Sequence, residues 1–127
     1  MFYFDVSMEE FLVISNNNDL LRLASGDIMY VTADGNYSTV MQRNSKDRVV
    51  VSQLGDIEKM IKRQLKQTGI DFIRIGRSLI INRKYIYYIN VQRQQLVLSD
   101  GATAEHPITA SKEALRQLKE VIDKSIA

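Results

Sequence analysis

The stretch Phe72-Ile73-Arg74-Ile75-Gly76-Arg77-Ser78-Leu79-Ile80-Ile81-Asn82-Arg83 decides how this chain reads. It consists of two short apolar strand segments with bases set between them. Strand alternation carried on from Ile73 through Ile75 points Arg77 inward with the core residues. Burying an unpaired guanidinium costs several kcal/mol, so the register must break there. Gly76 permits the break, as a bulge or turn that swings Arg77 and Ser78 outward. The expected product is an exposed Gly-Arg-Ser tip. Arg77 brings a planar donor fork suited to guanine edges or phosphate, and Ser78 a hydroxyl suited to phosphate. A loop arginine paired with Asp71 or another acid is the other arrangement that the stretch allows.

On the amino-terminal side, strands are expected at Phe11 to Ile14, Leu20 to Leu23, Ile28 to Thr32, Tyr37 to Gln42 and Arg48 to Val51. Turns separate them at Asn16-Asn17-Asn18, whose residues tolerate positive φ, at Asp34-Gly35 and at Asn44-Ser45. From Ser52 the period changes, with Leu54, Ile57, Ile61 and Leu65 recurring every three or four residues, while Glu58, Lys59, Lys62, Arg63 and Lys66 fill the other face. This spacing predicts an amphipathic helix over Leu54 to Lys66, with Ser52 as N-cap and Gly69 as its stop. Strands resume at Ile70 to Ile75, Leu79 to Ile81, Tyr85 to Gln92, Gln95 to Leu98 and Ala102 to Ile108. Pro107 places the last of these at an edge or a strand end, because it has no N–H for a ladder. A second helix starts at about Ser111, with Leu115, Leu118, Val121 and Ile122 as its apolar stripe. The fold class is therefore α+β and β-dominated, with about nine to ten short antiparallel strands, one internal helix and one carboxy-terminal helix.

Length and composition set outer bounds. With 127 residues, 45% of them apolar and a single proline, the chain is expected to be one domain over 1–127, with 1–9 as an amino-terminal extension. Cysteine is absent, which excludes thiol nucleophiles, disulfide scaffolds and cysteine-based metal sites. The longest apolar run, Tyr85 to Ile89, is far short of the ~20 residues that cross a bilayer, and the start MFYFDVSMEE is acidic. A soluble, cytoplasmic protein is expected, without a membrane partner. The net charge of +2 hides a division. Residues 1–36 carry one base and six acids, 37–93 twelve bases and four acids, and 94–127 four bases and five acids. A basic middle section draws polyanions such as nucleic acid, although scattered lysine and arginine also serve simply as a solvated face.

Catalytic chemistry has little to build on. His106 is the lone histidine and stands beside Pro107, which suits a partly exposed structural residue. No serine lies in G-x-S-x-G, there is no Walker loop, and Gly35 and Gly76 are isolated. Glu9-Glu10 reads as a solvated pair. Neither an enzyme nor a cofactor is expected.

A second segment, Asp27-Ile28-Met29-Tyr30-Val31-Thr32-Ala33-Asp34-Gly35-Asn36-Tyr37, ends a strand in a tight turn that exposes Asn36 and Tyr37. Taken with F-I-R-I-G-R-S-L-I-I-N, the basic helix, the following K-Y-I and the late L-x-L-S-D-G before a terminal helix, it resembles the LytTR family of bacterial DNA-binding domains from about Phe11 to Val121. Such domains are elongated β folds that bind duplex DNA through loops between strands, with no recognition helix. The resemblance implies base-reading contacts from Asn36 and Tyr37, from Arg77 with Ser78 beside it, and from Ser111 and Lys112 at the start of the last helix. It implies a phosphate contact from Arg74. Many members carry arginine near the position of Lys112 and histidine where this chain has Gly76. Lys112 is then a point charge without the planar fork. The implied function is sequence-specific binding of double-stranded DNA by a transcriptional regulator, with a homodimer on DNA repeats and an upstream histidine kinase or receiver as further partners. A protein-interaction module of the same fold, pairing through a strand edge or the Tyr85, Tyr87, Tyr88 cluster, is the alternative.

Overall fold

The computed structural model describes residues 9–126, so the extension expected at 1–9 lies, apart from Glu9, outside the described residues. The elements run β1 (Phe11–Ser15), β2 (Leu20–Ala24), β3 (Ile28–Asp34), β4 (Tyr37–Gln42), β5 (Asp47–Val50), α1 (Leu54–Gln64), β6 (Phe72–Ile75), β7 (Leu79–Asn82), β8 (Ile86–Asn90), β9 (Gln95–Ser99), β10 (Glu105–Thr109) and α2 (Lys112–Ile126). Every strand pair is antiparallel, as hairpin connections favour, and the β-dominated α+β expectation is borne out. The elements gather into two compact units, one ending at Asn82 and one beginning at Arg83.

The first unit holds a five-stranded sheet in the order β5-β4-β3-β7-β6, a separate β1–β2 hairpin, and α1. Val31, Val40 and Ile80 from the sheet, Leu54, Ile57, Ile61 and Leu65 from the helical segment, and Leu12, Ile14 and Leu23 from the hairpin form one buried cluster. The stripe read from the sequence is the face that packs. Each of these side chains, fully buried, contributes about 1.5–3 kcal/mol. Two long-range polar contacts tie α1 to the hairpin. The Gln64 amide accepts the Val13 N–H (2.8 Å) and donates to the Val13 carbonyl (3.0 Å), pairing with β1 as a peptide group would. The Glu10 carboxylate accepts the N–H groups of Lys66 (3.0 Å), Gln67 (3.0 Å) and Thr68 (2.7 Å) and the Thr68 hydroxyl (2.8 Å). These donors hold the Glu10 carboxyl below its ordinary value.

Three local expectations are corrected in this unit. Glu10 is not simply solvated. The helix ends at Gln64 instead of Lys66, because the N–H groups that follow turn to Glu10. Gln53, not Ser52, is the N-cap, and its side chain makes no capping bond. The Asn16 turn also works differently from the expectation. Its backbone stays out of the left-handed region, and the Asn16 Oδ1 accepts the N–H groups of Asn18 (2.9 Å) and Asp19 (2.8 Å). Asn44 (φ 65) and Ser45 (φ 60) do take left-handed conformations.

The second unit is a three-stranded sheet, β10-β9-β8, with α2 against β8. Leu96, Val97, Leu98, Leu115 and Leu118 are its buried residues. Pro107 sits on edge strand β10, where its missing N–H breaks no ladder on the outer side. β10 starts at Glu105, later than the Ala102 expected, because Asp100 Oδ1 accepts the N–H groups of Ala102 and Thr103 (both 2.9 Å) and holds a loop there. Ile70, expected in a strand, lies in a 3-10 turn and is 72% exposed. Val121, expected in the α2 stripe, faces outward at 45% exposure.

Candidate nucleic-acid interface

Register decides what comes together at one end of the five-stranded sheet. Asp34 faces Tyr37 across the β3–β4 hairpin, leaving Gly35 and Asn36 as its two turn residues. Ile75 faces Leu79 across the β6–β7 hairpin, leaving Gly76, Arg77 and Ser78 as its tip. Because Thr32 pairs with Leu79, and the Ala33 N–H donates to the Ser78 carbonyl (2.9 Å), both tips lie side by side. Gly35 (φ 63) and Gly76 (φ 61) occupy the left-handed region at which glycine carries little penalty. The break expected at Gly76 is therefore present.

Arg77 and Ser78 are exposed, and Arg77 forms no ion pair among the described residues. The pairing with Asp71 that the sequence left open does not occur. Asn36 is exposed and Tyr37 is 51% exposed. The Asn36 Oδ1 accepts from Gln53 Nε2 (3.2 Å), so the N-cap residue of α1 reaches across to the hairpin tip. Arg74 is engaged differently from its neighbours. Its Nε donates to the Gly76 carbonyl (2.9 Å), Nη2 to the Arg77 carbonyl (3.0 Å), and Nη1 to Glu58 Oε1 (2.8 Å).

An open cleft runs from Asn16 and Asn36 past Gln53 to Asp56, Lys59 and Arg63. Lys59 and Arg63 stand one helical turn apart, exposed and without ion pairs among the described residues. Lys62 by contrast lies 3.9 Å from Glu58. Asp34 at the tip and Asp56 in the cleft are the acids beside these cations. The helical period displayed Lys59 and Arg63 on the polar face, but nothing local distinguished them from Lys62. Gln53 and Glu58 escaped the sequence reading because their partners are distant along the chain.

Ser111 and Lys112 belong to the second unit. Ser111 is the N-cap of α2, its Oγ accepting the Ala114 N–H (3.1 Å) and its carbonyl the Leu115 N–H (3.0 Å). Lys112 opens the helix, exposed. His106 is half-buried on β10, and no group of three or more metal-ligating side chains exists among the described residues.

These features are a β scaffold presenting cationic and amide side chains at strand junctions. Residues 18–123 match the model of the LytTr DNA-binding domain. The chain belongs to that family, a DNA-binding domain of transcriptional regulators and not an enzymatic family. No curated protein matches it. Among solved structures it is similar to the LytTr DNA-binding domain of a Bacillus cereus protein whose description reads methyl-accepting/DNA response regulator. That match has 17% identity and a TM-score of 0.59, and covers 89% of this chain and 96% of the other. It supports the fold. No helix among the described residues is long and apolar enough to cross a membrane.

Proposed function

We propose that the chain binds double-stranded DNA sequence-specifically, with the paired tips of the five-stranded sheet reading the major groove. The observation that carries this reading is the Arg77 guanidinium, exposed on a three-residue turn, without an ion pair among the described residues, and adjacent to the Asn36-Tyr37 tip. An arginine fork reads guanine O6 and N7 bidentately, an asparagine amide reads adenine, and a hydroxyl takes phosphate. In this assignment Arg77 and Asn36 are the base readers, and Tyr37 and Ser78 contact the backbone. Lys59 and Arg63 supply phosphate contacts from the cleft. Lys112 adds a further charge from the start of α2, and the Ser111 hydroxyl, already accepting a helix N–H, still has its own proton to donate.

The test is selection of preferred duplexes from a random pool with the full chain, repeated with Arg77→Ala. The substitution should weaken the selected site by about 1–3 kcal/mol and relax preference at one or two base pairs. Retained preference at full affinity would remove Arg77 from the interface.

The Bacillus cereus protein's description as a response regulator supports an upstream histidine kinase or receiver as the source of the activating signal, and a bacterial cytoplasm as the place of action. A site made of two repeats would be filled by a homodimer, which the stoichiometry of the complex on selected duplexes measures. One observation favours a second reading as a protein-interaction module. A register shift between Ile86 and Tyr88 on edge strand β8 leaves both Tyr87 (68%) and Tyr88 (42%) exposed. Concentration-dependent assembly by light scattering, with no shift in duplex mobility, would support that reading over the first.

A further inference from the structure

We infer that Arg74 is a positioning residue that fixes the mount of Arg77, and that Glu58 anchors it to α1. The inference rests on the DNA-binding reading above, and replaces the phosphate contact that family resemblance implied for Arg74.

The geometry is specific to a guanidinium. Arg74 lies on edge strand β6 opposite Ile80, a residue of the cluster under α1, so alternation turns it toward that helix. One edge of its fork, Nε with Nη2, grips two successive carbonyls, those of Gly76 and Arg77. The remaining nitrogen, Nη1, meets Glu58 on the middle of α1 at 2.8 Å. With side chains 27% and 31% exposed, the pair is half-buried, where a charge-assisted bond outweighs one at a fully solvated surface. Gly76 bends the chain into the left-handed region, and the Arg74 fork closes across that bend. The main chain of the tip is thereby held by a side chain of the strand that leads into it. Glu58 also pairs with Arg74, whereas Arg77 forms no ion pair among the described residues. A turn held before contact loses less conformational freedom on binding.

Four variants of the full chain test this on a selected duplex and a scrambled one of equal length, across a salt series: Arg74→Lys, Glu58→Gln, Arg77→Ala, and Arg74→Lys with Arg77→Ala. Lysine keeps the charge but not the fork. A positioning role predicts that Arg74→Lys loses about tenfold in preference for the selected duplex, part of what a bidentate contact supplies, with unchanged affinity for the scrambled one. Glu58→Gln should lose less, in the same direction. In the Arg77→Ala background, Arg74→Lys should bring no further loss of preference. Preference at the parent level in Arg74→Lys would mean that charge alone suffices, and would overturn the inference while leaving DNA binding intact. Equal loss of preference in both backgrounds would mark a general structural effect and overturn it too. If Arg74→Lys does not fold, judged by thermal unfolding, Glu58→Gln with and without Arg77→Ala decides by the same two criteria. A parent chain that binds neither duplex would overturn the proposed function itself, a failure distinct from these.

Discussion

Glu10 and Arg77 are both charged side chains at the ends of strands, with opposite fates. Arg77 is unpaired among the described residues, whereas Glu10 collects three backbone N–H groups and a hydroxyl from residues 66–68. The Glu10 carboxyl is therefore held below its ordinary value of 4.5 in the folded chain, chiefly by the Thr68 N–H and hydroxyl. The folded state binds fewer protons there than the unfolded one. Its contribution to stability is complete above about 4.5 and disappears as pH falls through the lower folded value. Glu10→Gln should then be less stable than the parent at neutral pH, with the gap closing toward strongly acidic pH. Denaturant unfolding at several pH values checks this, and a gap independent of pH would refute it. Sequence could supply Arg77, because a base inside a strand register is a local contradiction. It could not supply Glu10, whose partners lie 56 to 58 positions away.

Helix α1 organises the first unit. Its apolar stripe fills the space between hairpin and sheet, and its polar side meets the β3–β4 tip through Gln53 at Asn36 and strand β6 through Glu58 at Arg74. The stripe was legible because the 3.6-residue period is written in consecutive residues. The polar contacts were not, since each depends on register between elements that sequence does not fix. Ile57 has no exposure and sits in the central cluster, so Ile57→Ala should cost about 2–5 kcal/mol, measurable by denaturant unfolding. Gln64→Ala removes the partner of two β1 backbone groups and should cost about 1–3 kcal/mol. A cost below a few tenths of a kcal/mol would show that water replaces the amide on β1.

Across the whole molecule, the basic excess seen in residues 37–93 is distributed unequally by pairing. Arg43 is bound to Asp27 at 2.8 Å and Arg74 to Glu58, while Lys59, Arg63 and Arg77 stay without ion pairs among the described residues. Counting charges along the chain located the basic section but could not separate committed cations from available ones. If about 4 to 6 phosphates are neutralised, log K should fall with log salt at a slope near −4 to −5. Replacing Lys59 and Arg63 together by glutamine should make the slope shallower by about 1.8 and weaken all duplexes alike. An unchanged slope would take the cleft out of the interface. The succession of strands along the chain, their antiparallel pairing and both helices were legible, because apolar alternation and turn residues recur at most junctions. The placing of β7 beside β3 was not, since it joins strands distant in sequence. The division of the chain at Asn82 carries no sequence mark, as Arg83 follows without a glycine or proline-rich linker.

The grip of Arg74 falls on carbonyl oxygens, which every amino acid brings to its place in the chain. The identity of the side chain at 77 is thus independent of what secures it. On the proposed reading, exchanging that one side chain would redirect base preference with the machinery beneath it inherited unaltered, so the address of such a regulator would be rewritten faster than its architecture.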